Sequence, residues 1–226
     1  NGRIIGICGF VVQTDADETV LIDTGFPAKY AVDSAAATAQ DDLGSFGRVL
    51  SVTPENMPAA QLAKLGLTPA DITLMIQSHT HIDHVGHMDG FPHAPILIAA
   101  AERALPRPLY WSGKQIMEWP EAEYQLVEED FTLGNGFEVF LCPGHAPGQL
   151  AVMIDLPQTG AVLLTSDAIS RAAEIDEGFA GSWDVAQATH HGARLMEMAA
   201  ARDALVIFGH SPEQWPDLRK APDWFT

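Results

Sequence analysis

Cysteine is nearly absent from the 226 residues, with only Cys8 and Cys142 present and no CxxC pair between them. That excludes a disulfide framework and a cysteine-based zinc site, and it suits a reducing compartment, so the expected location is the cytoplasm. Each cysteine lies in an apolar stretch and reads as a small buried hydrophobe. Basic residues are also few. Twelve Lys and Arg against 30 Asp and Glu give a formal charge of −18, which repels phosphate backbones and argues against a nucleic-acid partner. No apolar run approaches the roughly 18 residues of a membrane span, and no basic segment followed by a secretory core opens the chain. The expectation is therefore no membrane partner. Whether residues precede Asn1 is left open. What is present is apolar substance: 47% hydrophobic residues can bury a substantial core, and the length calls for one domain, residues 1–226.

The densest chemistry lies at His79-Thr80-His81-Ile82-Asp83-His84, three imidazoles and a carboxylate within six positions. The preceding run Ile72 to Ser78 is β-branched and aliphatic and reads as a buried strand that delivers these residues into a loop. His79 and His81, two apart in extended chain, point to one side and can hold one ion at about 2.0 to 2.1 Å. Asp83 and His84 point apart from each other and face a different centre. A second ion beside the first uses all four groups.

Along the chain, Arg3 to Thr14 and Thr19 to Asp23 read as strands joined by a polar hairpin loop at residues 15–18. Asp23 either caps a turn or approaches the metal centre from behind and orients a ligand histidine. Residues 26–57, with Phe26, Tyr30, Phe46 and Met57 among small and acidic residues, suit either a loop covering a pocket or short surface helices. Pro58 to Leu65 is helical by propensity, ended by Gly66 and Pro69. Ala94 to Ala99 is a strand, and residues 102–129 read as irregular with short helices. Phe137 to Leu141 is a strand running into a Pro/Gly-dense turn that holds His145. Residues 149–156 and 161–166 are further strands, the second delivering Asp167. A carboxylate beside two ions can bridge them with its two oxygens, which an imidazole cannot. Asp184 to Ala201 reads as a helix with Gln187, His190, Arg194 and Glu197 on its polar face, His191 being nearer the apolar side and both histidines structural. Ala204 to Phe208 is the last strand, and His210 lies just past it.

Five histidines and two aspartates thus stand at strand ends: His79, His81 and His145 for one ion, Asp83, His84 and His210 for the other, and Asp167 between. With HTHIDH, PGHAPGQ, SDA and IFGH in this order, the chain resembles the metallo-β-lactamase superfamily over nearly its whole length. Within that superfamily it is most similar to dinuclear lactonases of the N-acyl-homoserine lactone type. The resemblance implies an α/β fold, an αβ/βα sandwich of two mixed sheets flanked by helices, with the metal site at the sheet edge. Asp23-Thr24-Gly25 also matches a strand-end motif of the superfamily, which favours Asp23 as the orienting group. Two divalent ions, zinc first, with iron, manganese or cobalt also suited to these donors, lower the pKa of bound water toward about 7. The expected reaction is opening of a lactone by a metal-bridging hydroxide, with Asp83 as the group that accepts and returns a proton and Asp167 as the bridging carboxylate.

One departure bears on the substrate. Lactonases of this type commonly carry a tyrosine three positions after the bridging aspartate, where this chain has Ser170; Tyr30, Tyr110 and Tyr124 are the alternatives from elsewhere. His87 and Asp89 replace Gly and Asn and read as structural. The expected substrate is a small lactone or ester, and the expected pocket residues are Phe26, Phe46, Met57 and Ser170. Phe46, Trp111 and Trp119, read as exposed, suit either a pocket wall or a homodimer contact. A glyoxalase-type thioester hydrolase shares the seven ligands and is the alternative reading, although only 16 residues follow His210. A β-lactamase, a mononuclear iron oxygenase and a non-catalytic binding protein fit the complete ligand set less well.

Overall fold

The computed structural model describes residues 3–111, 114–134 and 136–226; Asn1 lies outside the described residues, as does 112–113 of the stretch expected to be irregular. Among the described residues ten strands form two five-stranded sheets. The first has the order β1-β2-β3-β4-β5, with β1 Phe10–Gln13, β2 Thr19–Ile22, β3 Leu74–Gln77, β4 Ile96–Ala99 and β5 Tyr124–Val127. The second has the order β10-β9-β8-β7-β6, with β6 Phe131–Gly134, β7 Phe137–Leu141, β8 Leu150–Leu156, β9 Gly160–Leu164 and β10 Leu205–Ile207. Both sheets are mixed. β1 pairs antiparallel and β3 parallel with β2, while β10 pairs parallel with β9 and the remaining pairs of the second sheet are antiparallel. The helices are α1 Lys29–Val32, α2 Ser34–Asp41, α3 Pro58–Lys64, α4 Ala100–Arg103, α5 Ala173–Glu177 and α6 Val185–Ala201. Sheet number, pairing and helices are those of the αβ/βα fold. Among the described residues no helix is long and apolar enough to cross a membrane.

Contacts divide the chain into two compact units. The first comprises residues 1–3, 9–97 and 105–125, and its strands β2 and β3 are buried at every position, as the aliphatic runs TVLI and LMIQ require. The second comprises residues 4–8, 98–104 and 126–226. Its core joins Phe140, Met153 and Leu163 from the sheet to Ile169, Phe179 and Leu195. Each such side chain, fully buried, contributes about 1.5–3 kcal/mol. The helix α6 turns Ala188, Gly192, Leu195 and Ala199 inward, a period of three to four residues. Asp184 caps it by accepting a hydrogen bond from the Gln187 amide at 3.0 Å. His190 is exposed and His191 half-buried.

Several elements differ from expectation. The opening strand is confined to Phe10–Gln13, because residues 4–8 group with the second unit, while Phe10 onward pairs with β2. The break falls at Gly9, where an added Cβ would lie 3.1 Å from the Asp23 carbonyl. Between the two readings of residues 26–57, the helical one describes the chain better: α1, α2 and two 3₁₀ turns at Leu43–Ser45 and Pro54–Asn56 occupy much of it. Residues 102–129 contain β5, which the sequence reading missed, and α4 ends at Arg103 with no further helix among the described residues of that stretch. Of the three aromatic side chains read as exposed, only Phe46 is, at 70%; Trp111 and Trp119 are half-buried.

Candidate metal centre

In the first unit, β3 ends at Gln77 and hands the chain to the histidine loop. Asp23 stands at the end of the parallel neighbour β2 with φ +58°, a conformation that a non-glycine residue adopts only when its surroundings enforce it. They do. Its Oδ1 accepts from the Ser78 amide at 2.8 Å and from Gln77 Nε2 at 3.1 Å, and its Oδ2 accepts from Ser78 Oγ at 2.7 Å. The same Oδ2 lies 2.8 Å from His84 Nδ1. A carboxylate oxygen only accepts, so Nδ1 carries the hydrogen and the neutral ring presents a lone pair at Nε2.

The loop itself is pinned by its main chain. The His84 carbonyl accepts from the Thr24 amide at 2.8 Å, Thr24 Oγ1 at 2.9 Å and Gln77 Nε2 at 3.1 Å. Gln77 Nε2 also donates to the His79 carbonyl at 2.7 Å. Gly86 leaves room for the chain at Phe26 and Pro27, whose main-chain atoms would lie 2.2 and 2.4 Å from a Cβ. The result is convergence: His79 Nε2 is 3.0 Å from His81 Nδ1, the His79 and His84 rings are 4.1 Å apart, and His84 Nε2 is 3.7 Å from Asp83 Oδ2. His79, Asp83 and His84 are buried.

In the second unit three separate strand ends meet. His145 follows β7, Asp167 follows β9 and His210 follows β10. Asp167 Oδ2 receives both rings, with His210 Nε2 at 3.0 Å and His145 Nε2 at 3.3 Å. His210 Nδ1 donates to the Gly6 carbonyl at 2.6 Å, which leaves its Nε2 as a lone pair directed at a carboxylate oxygen. Two acceptors at that distance repel unless a proton or a metal cation lies between them. Main-chain contacts set the loop positions: the Ser170 carbonyl accepts from the His210 amide at 2.7 Å, and the Gly144 carbonyl accepts from the Asp184 amide at 2.8 Å. Gly209 is required because a Cβ there would lie 2.4 Å from the Ser166 carbonyl.

The residue range 5–210 matches the model of the metallo-β-lactamase superfamily. The chain belongs to that superfamily. Among curated metallo-β-lactamase relatives, it is 30% identical over 99% of its length to an N-acyl homoserine lactonase of Bacillus thuringiensis, covering 89% of that protein. Among solved metallo-β-lactamase structures it superposes on a mutant of the Bacillus thuringiensis lactonase AiiA carrying N-decanoyl-L-homoserine at the active site. There the TM-score is 0.82 with 28% identity, covering 98% of this chain and 87% of the other. A second is an N-acyl homoserine lactone hydrolase with its product N-hexanoyl-L-homoserine at the catalytic metal centre, with TM-score 0.81, 29% identity and the same coverages.

Of the expected pocket residues, Phe26 and Met57 both meet His87, Phe26 through its main chain. Within the first unit, Phe26 packs edge-on against Tyr30 at 4.8 Å, Met57 Sδ lies 3.1 Å from His87 Nε2, and Phe46 stacks on Trp111 at 4.4 Å. Burial pushes the His87 imidazole below its usual range, opposed by the Asp89 charge. In the second unit Ser170 engages through its main chain, its amide donating to Glu174 Oε2 at 2.7 Å. The tyrosine hydroxyls are committed elsewhere: Tyr30 and Tyr110 donate to Asp41 Oδ2 at 2.8 and 2.9 Å, and Tyr124 donates to the Pro120 carbonyl at 2.7 Å. Gln77 went unnoticed in the sequence, although a polar residue closing the run ITLMI signals a partner to satisfy.

Proposed function

We propose that this protein is a single-domain, cytoplasmic hydrolase that opens the ring of N-acyl homoserine lactones at a dinuclear metal centre. The observation that carries the reading is the 30% identity to an N-acyl homoserine lactonase across 99% of the chain. The donor chemistry supports it. In this reading His79, His81 and His145 serve one ion, Asp83, His84 and His210 the other, and Asp167 both, and imidazole with carboxylate suits zinc before iron, manganese or cobalt. His84 and His210 each have Nδ1 tied to an acceptor, which fits them to bind a cation through Nε2.

When bound, two such ions supply a Lewis acid for the ester carbonyl and lower the pKa of water to about 7. The chain's own residues do the remainder. Asp23 and the Gly6 carbonyl hold Nδ1 of His84 and His210, so each ring would offer Nε2 to an ion without reorganising. Asp83 takes the proton lost by the attacking water and returns it to the alkoxide released by ring opening. Ser170 stands where a tyrosine is expected and the hydroxyls of Tyr30, Tyr110 and Tyr124 are engaged elsewhere, so none of the three is assigned a contact to the substrate carbonyl or leaving oxygen. Phe26, Met57 and Phe46 supply apolar surface for the acyl group, and Phe46 also suits a homodimer contact.

The test is hydrolysis of N-hexanoyl-homoserine lactone by purified, metal-quantified protein, followed by proton release at constant pH, with a thioester and a β-lactam in parallel. Two metal equivalents and turnover of the lactone alone are expected. Turnover of the thioester alone would move the chain to the glyoxalase-type reading, and absence of bound metal would remove the mechanism.

A further inference from the structure

Asp41 closes α2 and is 1% exposed, a buried carboxylate in a segment whose sequence suggests a loop or a surface helix. Burying a charge so fully is costly unless donors surround it. Three do: Lys29 Nζ at 2.6 Å on Oδ1, and the Tyr30 and Tyr110 hydroxyls at 2.8 and 2.9 Å on Oδ2. Lys29 and Tyr30 are local to α1 and α2. Tyr110 comes from 69 residues away and has φ +58°, so something must hold it there.

What Tyr110 does with its main chain gives the arrangement a purpose. Its amide donates to the Thr80 carbonyl at 2.8 Å, and its carbonyl accepts from the Ile82 amide at 2.7 Å. The pair brackets His81, with which Tyr110 forms an isolated parallel bridge. Next to it, the Leu109 amide donates to Thr80 Oγ1 at 2.9 Å. Residues 109–110 therefore clamp the main chain on both sides of one proposed ligand, and the clamp is fastened at its side-chain end to Asp41.

We propose that Asp41 is a positioning residue for His81: acting through the Tyr110 hydroxyl, it holds the backbone that aims this imidazole at its ion. The inference rests on the reading of His81 as a metal ligand. It differs from the groups behind His84 and His210 in that no atom of Asp41 touches the ring it positions; the force passes through one side chain and one main-chain bridge.

Tyr30 and Tyr110 provide the discriminating pair, because both donate to the same oxygen at nearly the same distance and only Tyr110 is joined to residues 80–82. Zinc affinity and stoichiometry are measured by competition with a chromophoric chelator for the wild type, Tyr30→Phe and Tyr110→Phe, with thermal melting alongside. The expected result is that both variants melt lower by similar amounts, while Tyr110→Phe alone weakens one zinc by about tenfold or more. Asp41→Asn is expected to weaken zinc at least as much as Tyr110→Phe. Equal zinc affinities in the two phenylalanine variants would overturn the proposal, leaving the dinuclear reading intact if wild type holds two ions. Wild type that binds no zinc would overturn both.

Discussion

The two halves of the proposed ligand set are held in different ways. In the first unit the four proposed ligands come from one loop, and besides its main-chain contacts a framework of side chains, Asp23, Thr24, Gln77 and Ser78, holds it. In the second unit the three proposed ligands come from three strand ends, and main-chain carbonyls of Gly6, Gly144 and Ser170 fix two of them. A side-chain framework can be removed by substitution, whereas a carbonyl is present whatever residue carries it. The first half is thus the more fragile to point mutation and the second the more dependent on correct tracing of the backbone.

The largest effect tests whether the halves matter equally. His84→Ala and His210→Ala, one from each, are both expected to reduce lactone turnover to the level of the metal-stripped protein; a variant that keeps its turnover would remove that residue from the ligand set. Next in size, Asp23→Asn should lower zinc affinity by about 10–100-fold, because the amide no longer secures the His84 tautomer. Gly6→Ala leaves the carbonyl on His210 in place, and an added Cβ there meets nothing within 4 Å, so its zinc affinity should stay near wild type. Equal losses in the two would erase the distinction between side-chain and main-chain support.

A third difference appears only in alkali. Burial first, then the hydrogen bond and charge of Asp41, raise the Tyr30 and Tyr110 phenols above their ordinary value of 10.0. The folded state holds these protons more tightly than the unfolded one, so their contribution is complete below about pH 10 and is lost as pH rises beyond it. Denaturant melts should show stability falling above that pH in wild type and a shallower fall in the Tyr30→Phe/Tyr110→Phe double variant. The smallest effect belongs to the second unit: Asp184→Ala removes the cap of α6 and should cost about 1 kcal/mol in urea unfolding.

Sequence made the first half far easier to read than the second. Contiguity is the reason: His79 to His84 announce themselves within six positions, while His145, Asp167 and His210 are single residues recognisable only because each follows an apolar strand. The long buried strands and α6 follow from aliphatic runs and helical period. β5 and β6 do not, since YQLV is exposed at its two central positions and FTLG at alternate ones, and neither carries an apolar run long enough to stand out. Asp41 was illegible for a different reason. Nothing in SAAATAQD marks one acid as buried; that depends on Tyr110, which only the tertiary structure brings to it.

The hydrogen bond between the Gly6 carbonyl and His210 joins residues 204 positions apart. Closing it carries the entropy cost of bringing distant segments together. Until it forms, His210 Nδ1 lacks this acceptor and one of the proposed ligands is unprepared. In that reading a partly folded chain that carries the complete HTHIDH loop is not yet prepared to hold two ions.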